Sequence, residues 1–323
     1  MEFTFDAFVT GIAEDRGQAV FGLGDGTVRW ADGAVIEAHD GAILRMTAHP
    51  SGDGVITGGD DGRLVWSRHE ASEARAAVLA EVKMGWIDAL AVSSESGLIA
   101  FGSGKIVNVL SSSEAGFARR FSHPASVSDL AFDAKGRRLA AATYGGVALW
   151  YARIADQQPV MLRWAGPHAR VVFSPDGRFV VSALQEPALH VWRLADGKEG
   201  RMEGAYQTKV QSLAFAQGGD WLASSGSEKA VLWPFIGKDG PMGRQALEMS
   251  LAERGAITRA AARGDHLILG LDSGKVLALN LDTDRQIRAK AIGGPPISAL
   301  AILSDGRIAW GDEAGGAGVL DPA

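Results

Sequence analysis

Short apolar runs rich in Val, Leu, Ile and Ala alternate with small-residue turns along the chain. Residues 169–192, ARVVFSPDGRFVVSALQEPALHVW, show the pattern in full. SPDG and LQEP divide this stretch into three runs without the 3.6-residue period of a helix, which predicts strand, turn, strand, turn, strand. The runs are apolar at nearly every position instead of alternating with polar residues. Both faces of each small sheet must therefore be covered, as happens when sheets stack on one another.

The pattern repeats. β-type runs ending in an apolar or Trp position recur at Trp30, Trp66, Val109, Trp150, Trp192, Trp233, Leu279 and Val319, with spacings of 36, 43, 41, 42, 41, 46 and 40. Strands at regular spacing allow a sandwich, a barrel or a propeller, but a period near 40 with four strands per unit favours the propeller. The last unit stops after its third strand, and an extended piece from Glu2 to Asp6 precedes the first. Pairing these two pieces would close the ring and remove an exposed sheet edge.

The segment from Ala38 to Trp66, AHDGAILRMTAHPSGDGVITGGDDGRLVW, resembles a WD repeat, the unit that opens with Gly-His and closes with Trp-Asp. FSPDGRF, DLAFDAKGRRLAAA and SLAFAQGGDWLASS match the same inter-strand turn. The resemblance covers essentially the whole chain in degenerate form, since Trp66 is followed by Ser67 and Trp192 by Arg193. It implies an all-β fold spanning residues 1–323 as one domain, a closed WD-repeat propeller; the eight recurring strand groups set the number at eight four-stranded antiparallel blades, with seven, the common number in the resembled family, as the alternative. The N-terminal strand would complete the last blade.

The resemblance also implies a buried tetrad of His, Ser or Thr, Asp and Trp in each blade. The second unit offers His39, Thr57, Asp61 and Trp66, with Asp60 competing for the acidic place. The fourth has His123, Thr143 and Trp150 but Gly145 in the turn. The fifth has Ser182 and Trp192 with Glu186 nearby. In such propellers the face that carries the approaches to the innermost strands and the turns between second and third strands is the usual docking platform. Here that face would hold Trp86, Tyr144, Trp164, His168, Tyr206, Lys209 and Trp310. Trp and Tyr bury much area with little entropy loss, which suits a binding surface.

Composition narrows the functional classes. With 38 acidic and 32 basic residues the formal charge is −6, too mild for the one-signed field that nucleic acid or an anionic membrane requires. The absence of cysteine excludes disulfides, thiolate metal sites and a Cys nucleophile. No secretory leader pattern and no apolar run long enough for a bilayer-spanning helix is present, so a cytoplasmic protein is expected. Arg far outnumbers Lys and Ala and Gly are abundant, which points to a GC-rich, bacterial genome.

Candidate chemistry is thin. The seven His residues lack metal-ligand spacing, and Asp25, Asp60, Asp61, Asp176, Asp272 and Asp305 mostly sit beside Gly in turns, where a short acceptor stabilises the reversal. GLGDG at 22–26 lies between two strands with no helix to supply an anion site, and GSGK at 102–105 lacks the rest of a phosphate loop. No GxSxG elbow occurs. The expectation is a non-enzymatic module, with no catalytic residue, metal or cofactor, that binds a protein or peptide on one face. The alternatives are a propeller that senses a small ligand or metal and, below that, an enzyme with an axial-channel site.

Overall fold

In the computed structural model, which describes residues 1–70 and 73–321, regular structure is almost entirely strand, with one short 3-10 turn at Gln217–Gly219. The strands pair antiparallel, each with its neighbour in sequence except the N-terminal strand, which pairs with the last, and form a closed ring of radial sheets. The first strands of neighbouring sheets run beside one another around the axis.

The first sheet consists of Val9–Asp15, Gln18–Leu23, Thr27–Trp30 and Val35–Glu37. The second consists of Ile43–Ala48, Val55–Gly59, Arg63–Glu70 and Glu73–Glu81, and the third of Ala89–Ser93, Leu98–Ser103, Ile106–Ser111 and Ala118–Ser122. A six-stranded sheet follows, then a fifth sheet (Leu213–Ala216, Trp221–Ser224, Ala230–Pro234, Leu247–Met249) and a sixth (Ile257–Arg263, His266–Leu271, Val276–Asn280, Arg285–Lys290). The closing sheet is Ile297–Ile302, Ile308–Asp312 and Gly316–Leu320, completed by Glu2–Thr4.

Eight separate four-stranded blades were expected, and hydrogen bonding corrects the number to seven sheets among the described residues, six of four strands and one of six. The cause is the strand Val160–Phe173. Its first part pairs with 146–149 and its second part with Phe179–Leu184, so the outer edge of one unit continues without a break into the inner edge of the next. Register shifts at Tyr144/Gly146 and His168/Arg170 bend this sheet, because a bulge adds twist to the strand that carries it. Its two halves then face each other: Ala140, Ala142, Val147 and Leu162 share one buried layer with Val171, Phe173, Val180 and Trp192. The repeat period of the sequence survives in the packing, where eight such apolar layers separate successive strand groups among the described residues.

The N-terminal strand sits where the pattern placed it. Glu2, Phe3 and Thr4 pair with Gly318, Ala317 and Gly316. The backbones of Met1 and Val319 bond to each other in both directions, at 2.9 and 2.8 Å. Phe3 and Phe5 lie 5.6 Å from Phe21 of the first sheet, so the strand that closes the last sheet also packs on its neighbour.

Candidate functional site

The polar network of the second sheet forms, but without its Trp. The His39 Nδ1–H donates to Asp61 Oδ1 at 2.9 Å, since a carboxylate only accepts, and Nε2 then takes the hydroxyl proton of Thr57 at 2.8 Å. Asp61, not Asp60, fills the acidic place. Its carboxylate also accepts the backbone N–H groups of Arg63 and Asp40, and these bonds with the one from His39 outweigh partial burial and hold it below the ordinary Asp value.

Trp66 is corrected. Thr57 stands opposite Val65 in the ladder and Ile56 opposite Trp66, so Thr57 and Trp66 occupy opposite faces of the sheet. The Trp66 indole instead donates to the Asp53 carbonyl at 2.7 Å and stacks on His49 with ring centroids 4.2 Å apart.

Other sheets meet the same demand with different residues, as buried N–H and O–H groups require partners. In the six-stranded sheet the Trp150 indole donates to His123 Nε2 at 3.0 Å, while Thr143 donates to backbone carbonyls and leaves the network. His168 donates from Nε2 to the Trp164 carbonyl and accepts the Ser182 hydroxyl at 2.7 Å. Glu186 pairs with Arg201 and takes no part. In the fifth sheet a phenol replaces the imidazole: the Trp233 indole donates to Tyr206 Oη at 2.8 Å, and Tyr206 donates to Ser224 Oγ at 2.8 Å. Burial pushes the Tyr206 phenol well above its usual value.

These contacts remove four of the residues placed on the docking platform. His168 is fully buried and Trp310 is 4% exposed within the layer between the sixth and closing sheets. Tyr206 belongs to the network just described, and Trp164 stacks on His190 at 4.0 Å. Trp164, His168 and Trp310 lie in strands and Tyr206 in the connection before Leu213–Ala216, each at the expected point along the chain. Each side chain, however, turns into the space between sheets, where the ring buries its largest groups.

Three expected residues remain on the surface. Trp86 is 63% exposed, Tyr144 is 68% exposed, and Lys209 is exposed. Trp86 and Lys209 lie in connections from an outer strand to the next innermost strand, and Tyr144 lies at the bulge inside the long strand Arg138–Tyr151, where the second strand of the unit passes into the third. In an antiparallel meander these positions share one edge of the ring. Sequence reasoning missed Met84, which is 96% exposed two residues before Trp86. The neighbouring groove between the second and third sheets, about 750 Å³, has Phe101, Ile106 and Leu110 on its floor and Lys83, Met84 and Arg119 at its rim. The run VKMGW could have flagged this segment, because two large apolar residues there lie outside any strand pattern. No group of three or more His, Asp or Glu side chains that could hold a metal ion occurs among the described residues.

Residues 30–66 match the family model described as WD domain, G-beta repeat, a stretch running from the third strand of the first sheet to the third strand of the second. No curated protein matches the chain. Among solved structures, the crystal structure of the computationally designed Ika8 protein is similar to it with a TM-score of 0.78 and 20% identity, over 98% of this chain and 97% of that one. At that identity the likeness speaks for the fold. The matched repeat lies in a ring whose other sheets vary the same buried polar contacts, and the chain is a β-propeller that carries a WD-repeat match in its second sheet.

Proposed function

We propose that the chain is a non-enzymatic interaction module that binds a protein or peptide on the edge carrying Met84, Trp86, Tyr144 and Lys209. The observation that carries this reading is the 82–86 connection, which holds Met84 and Trp86 out in solvent beside an apolar groove. Exposed large apolar side chains next to a concave apolar surface are what an interface core is built from. The same reading takes residues 1–323 as one domain of a cytoplasmic, bacterial protein, with neither nucleic acid nor membrane as its partner. Its supports are the mild net charge of −6 and the usage of Arg over Lys.

The paired change Met84→Ser and Trp86→Ala tests the assignment. Both side chains are exposed, so the melting temperature should stay within about 1 °C of the parent. Partner captured from lysate should fall by roughly tenfold or more, the range of a hot-spot loss. Lys135→Glu, in a turn on the opposite edge, should leave capture unchanged. Equal capture by the paired variant and the parent would remove this edge as the docking surface.

A further inference from the structure

Six innermost strands carry a register shift at the same place: Val9/Gly11, Ile43/Arg45, Val127/Asp129, His168/Arg170, Ile257/Arg259 and Ile297/Ala299. A bulge re-aims the side chain that follows it, here near the start of each inner strand, at the end of the axis that faces the docking edge. Reading round the ring, the residues after the shifts are Gly11, Arg45, Asp129, Arg170, Arg259 and Ala299. Three of these are arginines from three different sheets, near the starts of the inner strands at the axial end of the ring, and Arg170 and Arg259 both donate to Gln211. Their proximity is felt in their protonation. Burial and then the Arg170 charge hold Arg45 below its ordinary value, and burial, Arg170 and Arg45 do the same for Arg259.

Two of the three are tethered. Arg170 Nε donates to the Gln211 carbonyl at 3.0 Å, and its guanidinium lies 3.9 Å from Asp129. Arg259 donates to the Ser298 carbonyl at 2.7 Å, to Gln211 Oε1 at 3.0 Å and to the Thr258 carbonyl at 2.8 Å. Arg45 donates only to its neighbour's carbonyl, Leu44, at 2.8 Å. Its Nε is buried without a partner, and it makes no ion pair within 4.0 Å among the described residues. A guanidinium offers five donors, so this one is heavily underused.

The local carboxylates do not complete it. One Asp129 oxygen accepts the Val171 N–H, and Asp88, on the strand approach beside Arg45, keeps a buried oxygen unpartnered. Burial pushes both carboxyls up from the ordinary Asp value, which weakens them as counter-charges. Glu313 acts on Arg259 from an exposed position on the rim.

We propose that Arg45, Arg170 and Arg259 form an oxyanion site at the mouth of the axial channel that takes a phosphate-type group, free or carried on a small molecule. Three forks exceed what the two oxygens of a carboxylate can accept, whereas a phosphoryl group presents three oxygens and up to two charges. The bound group would satisfy the Arg45 Nε and offset the repulsion among the three guanidiniums. This site is separate from the Met84–Trp86 surface, so either assignment can fail alone.

The test is the melting temperature at matched pH and ionic strength in sodium chloride, in inorganic phosphate and in a small phosphomonoester. Phosphate at 20 mM, roughly, should raise the parent by about 2 °C or more in a saturable way, because a ligand that binds only the folded state stabilises it by mass action. A larger rise with the monoester assigns the site to a phosphorylated metabolite, and an equal rise assigns it to the free ion. Arg45→Gln should lose most of the shift, Arg45→Lys should keep part of it, and Arg285→Gln on an outer strand should keep all of it. Should Arg45→Gln fail to fold, the Arg45→Lys variant and direct calorimetric titration of the parent decide the matter. No saturable shift in the parent, or a shift that persists in both Arg45→Gln and Arg259→Gln, overturns the proposal. An internal closure of Arg45 onto Asp88 would give the first of these results.

Discussion

The closing sheet and the six-stranded sheet join one radial unit to the next by opposite means. At the closing sheet, chain ends 318 positions apart are held by three ladder pairs, the Met1–Val319 contacts and the aromatic group of Phe3, Phe5 and Phe21. In the six-stranded sheet, Val160–Phe173 carries the backbone from one unit to the next without interruption, and a shared apolar layer folds the halves together. The first joint is assembled wholly from non-covalent contacts. The second is covalent and depends on the backbone tolerating its bends. The first should thus fail by losing contacts and the second by strain.

The largest expected effect comes at the closing joint. Removing residues 2–6 deletes the ladder, two aromatic rings and the cover of Gly316–Leu320, and should lower the melting temperature by roughly 5–10 °C. A thermal scan showing no change would mean that the ring does not depend on this strand. The strain side is tested at Gly146, which has φ +139° at the bulge, and where an added Cβ would lie 2.0 Å from the Leu162 carbonyl oxygen. Gly146→Ala should cost about 2–3 kcal/mol in urea unfolding, more than a surface substitution explains. A cost within error would show that the bend is relaxed.

The smallest effect separates the joints by pH. Burial holds His123, His168 and His190 below the ordinary value of 6.5, with His190 down to about 4 despite Glu199 close by. All three pack in or against the six-stranded sheet, whereas the closing sheet has no His. The unfolded chain takes up these protons first as pH falls. The stability they confer is complete above 6.5 and is lost on the way down to about 4. Amide exchange, corrected for intrinsic rates, should lose roughly tenfold of its protection in Phe179–Leu184 between pH 7 and 5, with Ile308–Asp312 nearly unchanged. Equal losses in both strands would break the contrast.

What could be read in advance follows from what is local. Strand runs, turns and the ring-closing N-terminal piece were legible because each is written in a few adjacent residues. The sheet count was not: WAGPH at 164–168 carries the loop-forming Gly166 and Pro167, yet Pro167 pairs with Tyr144 and His168 with Leu184, so one strand bridges the ladders of two units. Trp66 failed as a tetrad member through a single-residue register difference, which moves a side chain to the other face. Tyr206 was noticed as an aromatic residue but not as a stand-in for His, since its role exists only once Ser224 and Trp233 are brought to it. The arginine cluster was invisible for a similar reason. Arg45, Arg170 and Arg259 are unremarkable within their own strands and meet only through the bulges.

Three of those six recurring bulges also separate selectivity from foldedness. At Arg45, Arg170 and Arg259 the side chain that follows the shift is polar and only part-buried, so it stands apart from the apolar layers of the wedge it belongs to. Ala299 instead packs into the layer between the closing and first sheets, and Gly11 lies close against Met46. A lineage, or an engineer, can rewrite the charge of the pore by altering the three arginines singly, on a ring that keeps its shape.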